Sequence, residues 1–249
     1  MGAAGDRDLV PANTRQGHPL HEPPPAAPHR SRTVRRDGGH GSVSVGETAN
    51  STTQAGSAGW GRYSRRVTGR RWILDPSDGE LLVRTGVTGR AAKIGHRLTI
   101  ALTSWQAEVS WNGSEPAAVE LTAEMDSLEV LMGQGGVKPL SAPEMALARS
   151  NALKSLDADQ FARIRFYAGD IEKTGDGYRL TGTLEIHGKS RKRVIDLRVE
   201  DLGESWQLSS DAAVRQSDFG IKPYSMLMGS VKVVDEVKVS LTVDRPKDR

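Results

Sequence analysis

The sequence predicts an all-β protein: an antiparallel, up-and-down β-barrel with one inserted short α-helix and an N-terminal tail outside the fold. Three observations predict it. After about position 70, apolar and polar residues alternate with period two along most of the chain, the pattern of strands with one buried face. Eight or nine such runs follow one another through Gly- and Asp-rich turns without β-α-β alternation, so neighbours in sequence are expected to pair as neighbours in space. Finally, the chain ends in a long strand-like stretch with one apolar face. Such a strand needs a sheet that curls round to cover it, and in a chain without long helices a closed barrel is the simplest solution.

The elements are justified in order. Residues 1–70 are rich in Gly, Pro, Ser, Thr and Arg, including HEPPPAAPHR and a Gly/Ser/Thr run from Gly38 to Gly59. Such a segment buries too little apolar area to offset its ordering entropy, and a disordered basic tail is expected. The fold is expected over residues 71–246. Trp72 and Leu74 open a strand, and Asp75-Pro76-Ser77-Asp78-Gly79 supplies a turn. Glu80–Val87 reads as the next strand. Leu98, Ile100 and Leu102 then alternate at even positions, whereas Trp105, Ala107, Val109 and Trp111 are odd. This change of phase predicts a bulge or sharp bend near Ser104. Asn112-Gly113 predicts a hairpin turn, with Val119, Leu121, Ala123 and Met125 returning. Gly133-Gln134-Gly135-Gly136 reads as a loop, not a phosphate cradle, because no strand-to-helix context or following Gly-Lys-Ser/Thr supports one.

Ser141-Ala142-Pro143-Glu144 fits a capping box with Ser141 at the N-cap, and Leu140 with Met145 fits a hydrophobic staple. Met145, Ala148, Ala152 and Leu156 continue as a helical stripe, ended by Asp157-Ala158-Asp159. One short helix in an all-β chain suits a lid or plug at one end of a barrel. Ile164, Phe166 and Ala168 resume the strand pattern. Tyr178, Leu180, Gly182, Leu184 and Ile186 form the cleanest strand, His187-Gly188-Lys189-Ser190-Arg191 turns it, and Ile195, Leu197 and Val199 return. Trp206, Leu208, Ala212 and Val214 precede a turn-rich stretch, and Val231 to Val243 forms the closing strand.

Composition excludes several classes of function. Residues 1–71 carry eleven Arg and five acids, a net of 11 − 5 = +6, which leaves 23 basic and 26 acidic residues and a net of −3 for the remainder. The high pI therefore belongs to the tail, and a specific nucleic-acid ligand for the domain is not expected. The tail's clusters, Arg30/Arg32/Arg35/Arg36 and Arg62/Arg65/Arg66/Arg70/Arg71, allow a weak contact with acidic membrane surfaces or nucleic acid, although a merely solvated tail, or an artefact of gene-start choice, is the commoner case. There are no cysteines, hence no disulfides or thiolate chemistry. The N-terminus lacks an apolar signal core and no eighteen-residue apolar run occurs, so a cytoplasmic protein is expected, unless the true start lies elsewhere.

The histidines show no metal-ligand spacing. His187 reads as a solvated turn residue, and His96 as a residue that orders its loop or touches a ligand's polar head at the barrel mouth. No Gly-x-Ser-x-Gly elbow occurs, and Asp218 in SDFG lacks the other parts of a kinase site. Ser217 or Asp218 is expected to cap a turn instead. Lys189, Arg191, Lys192 and Arg193 read as a basic hairpin tip. No catalytic residue, metal or cofactor is assigned.

SDFGIKPYSMLMGSVKVVDEVKV resembles the C-terminal signature of the YceI-like family. GYRLTGTLEIHGKSRKRVIDLRVE resembles that family's central hairpin, WILDP its opening strand, and AKIGHRLTIALTSWQAEV its actinobacterial variant. The resemblance spans about Arg71 to Asp244. It implies a lipocalin-like barrel that binds a polyisoprenoid, an isoprenoid quinone or a related lipid without catalysis, for transport, storage or sequestration. Periodicity alone favours a filled, dry core; the resemblance tips the reading toward a ligand. The candidate ligand-binding wall is Leu98, Ile100, Leu102, Leu121, Met125, Phe166, Leu180, Leu184, Ile186, Val214, Phe219, Tyr224, Met226, Met228, Val237 and Val239. Sparse aromatics leave room, and the methionines offer adaptable surface for a flexible hydrocarbon. Two alternatives stay open: an enzyme or stress-response module acting on an apolar substrate at the barrel mouth, and an interaction module using the Arg-rich tail. Monomer and homodimer are both compatible with the sequence.

Overall fold

The computed structural model describes residues 69–247. The expected tail lies outside the described residues except for its last two positions. The elements are β1 (Arg71–Leu74), β2 (Gly79–Arg84), β3 (Val87–Thr88), β4 (His96–Leu102), β5 (Trp105–Asn112), β6 (Glu115–Glu124), β7 (Leu128–Gly135), α1 (Ala142–Ser155), β8 (Arg163–Lys173), β9 (Gly177–Ile186), β10 (Lys189–Asp201), β11 (Ser205–Arg215), β12 (Ser225–Met226), β13 (Val231–Val233) and β14 (Glu236–Pro246).

Eleven strands form one curled antiparallel sheet in the order β1-β5-β6-β8-β9-β10-β11-β14-β2-β4-β7, and β12-β13-β3 form a small second sheet. The run from β8 to β11 is the expected meander, because each turn is short enough for sequence neighbours to pair directly. At the predicted bend, β4 passes into β5 through Thr103-Ser104 and β6 passes into β7 through a 3₁₀ turn at Met125–Ser127. The Glu124 N–H donates to the Ser104 carbonyl, and the Thr103 N–H to that of Ser127. One long hairpin is thus folded over at a corner and serves both ends of the strand order.

Several local expectations are corrected. The two-residue turn of the β5–β6 hairpin is Gly113-Ser114, because Asn112 still pairs with Glu115; Gly113 takes the left-handed conformation, at φ 62°. Gly133, Gln134 and Gly135 extend β7 opposite Leu98, Arg97 and His96 instead of looping out. Glycine suits position 133 because a Cβ there would meet Leu140 Cδ1 at 2.4 Å. The Val231–Val243 stretch is two strands. Asp235 interrupts it by accepting hydrogen bonds from the Ser217 backbone N–H (2.8 Å) and hydroxyl (2.5 Å), and these bonds hold its carboxyl below the usual carboxylate range. His187 is not freely solvated: it is half-buried, its ring lies 4.7 Å from that of Phe161, and its Nδ1 lies 3.2 Å from the Phe219 carbonyl oxygen. The basic hairpin tip is partly neutralised, since Arg193 pairs with Asp218 at 2.7 Å and lies over the Phe219 ring.

The interior is apolar throughout; the described residues bury no polar or charged residue. One cluster centres on Leu74, Ile100, Trp105, Met125 and Val243, a second on Phe166, Leu180, Leu184, Val214 and Phe219. Helix α1 begins at the predicted capping box, where the Glu144 carboxylate accepts from the Ser141 N–H (2.8 Å) and hydroxyl (2.6 Å). These bonds, with Lys138 nearby, lower the Glu144 pKa from 4.5 to about 2. No residue of α1 is buried. It rests on the barrel end through Met145, Ala148, Ala152 and Leu153. Arg149 tethers it, donating from Nε to the Leu128 carbonyl at 2.6 Å and from a terminal nitrogen to that of Asp126.

Candidate functional site: an apolar cavity beneath the helix

Beneath α1 lies a cavity of about 490 Å³, within the range of small-molecule sites. Its wall is built from strand positions that point inward at the helix end of the sheet, because side chains at alternate positions share one face. Leu98, Ile100 and Leu102 of β4 lie on one side, Val237 and Val239 of β14 on another, with Val214 of β11 and Ile186 of β9 beside them. Helix α1 contributes Leu147, Ala148 and Ala152, and the turn before β4 contributes Ile94 and Gly95.

Most of the polar groups on this wall, Ser155 and Lys232 apart, are committed to hydrogen bonds that hold the mouth together. His96 Nε2 lies 2.8 Å from the Lys138 carbonyl and fixes the connection into α1. Asn151 donates to the Tyr224 hydroxyl at 3.2 Å, joining the helix to the loop beyond β11. Thr85 accepts from the Leu98 N–H, and Gln216 donates to the Val234 carbonyl. Glu144 is held by Ser141 and by Lys138, whose ammonium is 3.1 Å away.

A second cavity of about 450 Å³ opens at the opposite end, around Trp72, Trp111, Tyr178 and Trp206. Trp72 and Trp111 meet edge to face with centroids 4.6 Å apart. The strands connect the two cavities in a regular way. On β9, Ile186 lines the first and Leu180 the second, while Leu184 between them lines neither; on β8, Ile164 and Lys173 line opposite cavities and Phe166 lines neither. Leu121 of β6 pairs with Phe166, which pairs with Leu184. Paired in register on adjacent strands, these three side chains form an apolar row between the two cavities, a septum on this side of the sheet.

This curled sheet, corner hairpin and helix-covered end occupy the part of the chain, residues 72–244, that matches the family model of the YceI-like domain. The chain belongs to the YceI-like family. Among solved structures, the YceI-like domain is similar to Burkholderia cenocepacia BcnA, at 15% identity and a TM-score of 0.51 over 69% of this chain and 98% of that one. It is also similar to the YceI protein of Campylobacter jejuni, at 17% identity and a TM-score of 0.45 over 60% of this chain and 85% of that one. Among curated proteins, none matches the chain.

Within the YceI-like domain, Leu98, Ile100, Leu102, Met125, Ile186, Val214, Tyr224, Met226, Val237 and Val239 converge on the helix-end cavity, and Leu180 lines the other. Leu121, Phe166 and Leu184 belong to the septum. Phe219 is fully buried, 0% exposed, in the core beside it. Met228 is not part of the wall: it is fully exposed, at 104%. It sits in a 3₁₀ turn where Leu227, Met228 and Gly229 all have positive φ, at 51°, 52° and 85°, so the chain reverses and aims Met228 outward. Strain of this kind costs about 1–3 kcal/mol per non-glycine residue. Of the wall residues outside the predicted set, Val83, Val87, Leu128, Ile164, Val231 and Val233 stand on strands. Ile94, Leu140, Leu147 and Ala148 lie on the helix and loops, where only the apolar stripe on α1 gave a signal.

Proposed function

We propose that the protein binds and carries, or sequesters, a long apolar molecule in the helix-end cavity, without chemical conversion. The observation that carries this reading is the cavity itself: about 490 Å³ beneath a helix, with a mostly apolar wall. The family resemblance supports a polyisoprenoid, an isoprenoid quinone or a related lipid as the occupant. Each buried methylene is worth about 0.8 kcal/mol, so an enclosed chain binds firmly with little help from polar contacts. The non-catalytic reading is supported by the commitments of His96, Glu144, Asn151, Tyr224 and Gln216 to hydrogen bonds that build the mouth. A general base or nucleophile has to face the substrate with a free lone pair.

Mass spectrometry of an organic-solvent extract of the purified protein tests this. One lipid class, unchanged and in near-stoichiometric amount, is expected. A lipid-free extract from protein made in lipid-replete cells argues for an empty core, and a chemically altered lipid argues for an enzyme.

A further inference from the structure

The mouth of the cavity is flanked by apolar side chains that face solvent. Ile94 is 46% exposed, Leu147 62%, Met226 46%, Leu227 55% and Met228 104%. Three elements bring them together. The 3₁₀ turn Ala92–Ile94 packs on β13. The Ala91 N–H donates to the Ser230 carbonyl, and the Ser230 N–H to that of Leu227. Asn151 joins α1 to Tyr224. The strip is continuous with the site, because Ile94, Leu147 and Met226 also line the cavity while Leu227 and Met228 lie beyond it. Clustered apolar exposure of this kind marks an interaction surface.

Charge identifies the partner. Residues 86–95 and 220–234 build this side of the mouth and contain Arg90, Lys93, Lys222 and Lys232 but no acidic residue. All four are exposed, and none forms a salt bridge with a described residue. This basic collar stands on a domain whose net charge from position 72 onward is 23 − 26 = −3. Helix α1 adds Glu144, Arg149 and Lys154, and Glu144 is already bound by Ser141 and Lys138. Apolar tips ringed by lysine and arginine fit the boundary between headgroups and acyl chains of an anionic bilayer. We propose that the mouth docks on anionic membrane surfaces, with Leu227 and Met228 entering the acyl boundary so that an apolar ligand passes between bilayer and cavity without crossing water. This rests on the carrier reading given above.

The test uses the full chain and vesicles of phosphatidylcholine with and without phosphatidylglycerol. As the chain has no cysteine, Met228→Cys gives one site for a polarity-sensitive fluorophore. Gly175→Cys labels an exposed turn beside the second cavity. Vesicles containing phosphatidylglycerol are expected to blue-shift and brighten the label at 228 and to leave that at 175 unchanged. Leu227→Asn/Met228→Asn removes the apolar tips with a residue that tolerates left-handed backbone. It is expected to weaken vesicle partitioning at least tenfold, because each buried Leu or Met is worth roughly that factor. Vesicle binding with a silent label at 228 and an unaffected Asn variant would assign the contact to the Arg-rich tail and overturn the proposal. A label that is already buried without vesicles, by the tail or by a second copy of the chain, would overturn it too. Failure of the carrier reading shows separately, as no binding of a prenyl probe by the wild type in vesicle-free solution.

Discussion

Val239→Trp separates an empty cavity from a packed core. Val239 pairs with Ala212 on one side and Val83 on the other, and its side chain lines the helix-end cavity. In a filled core, the larger ring forces neighbours off their rotamers and costs about 1–3 kcal/mol. Here the ring has about 490 Å³ in front of it. A tryptophan side chain buries about 150–250 Å²; if about 100 Å² of that exceeds what valine buries, the gain at 25 cal/mol per Å² is roughly 2.5 kcal/mol. Lost rotamer freedom offsets part of this. The delipidated variant is therefore expected to melt at or a few degrees above the wild type, given about 2–4 °C per kcal/mol for a chain of this size. Its affinity for a long prenyl probe is expected to fall severalfold, with the longest accepted chain shortened. Thermal unfolding of delipidated protein, followed by competition against a fluorescent fatty probe, measures both. A drop of about 3–10 °C with unchanged chain-length preference would refute the cavity argument.

Two further outcomes are expected. The Glu144 carboxyl has its pKa lowered to about 2 from 4.5 by its bonds with Ser141, so its contribution to stability is fully present above about pH 4.5 and is lost as pH falls toward 2. Glu144→Gln is expected to flatten the acid limb of the stability profile in that window, measured by denaturant titration at several pH values, and to leave the profile above pH 5 unchanged in shape. Leu184→Ala opens the septum beside Phe166. It is expected to cost about 2–5 kcal/mol and, where the variant still folds, to lengthen the longest prenyl chain bound, as the two cavities become continuous. An unaltered length limit in the folded variant would show that the septum is not what bounds the chain.

Elements governed by neighbours in sequence were legible. The capping box at Ser141 and Glu144 needs only four consecutive residues. The phase change at Ser104 is written into which positions are apolar. Alternation on β4, β9 and β14 assigns faces correctly because a strand's side chains repeat every two residues. Period two says which face a residue occupies but not its height along the barrel axis. That is why Leu184 and Phe166, in the septum, read the same as Ile186 and Val214, in the cavity wall. Long-range bonds were also illegible. Nothing near Asp235 announces Ser217, yet their contact splits the closing strand in two. Met228 was misplaced because the left-handed turn at Leu227-Met228-Gly229 breaks the alternation that the reading relied on. The exposed face of α1 was hidden too, since Leu147 is apolar and yet stands at the mouth.

The central claim is that the helix-end cavity takes a hydrocarbon chain, and a chain-length series on the delipidated wild type tests it most directly. Prenyl compounds of increasing length, sharing one head group, are to be measured by competition against the fluorescent fatty probe. Because each buried methylene adds a similar increment, affinity is expected to rise steadily with length and then level off once the cavity is filled, with little change when the head group is exchanged. A response flat in chain length, or one set by the head group instead, would contradict the account.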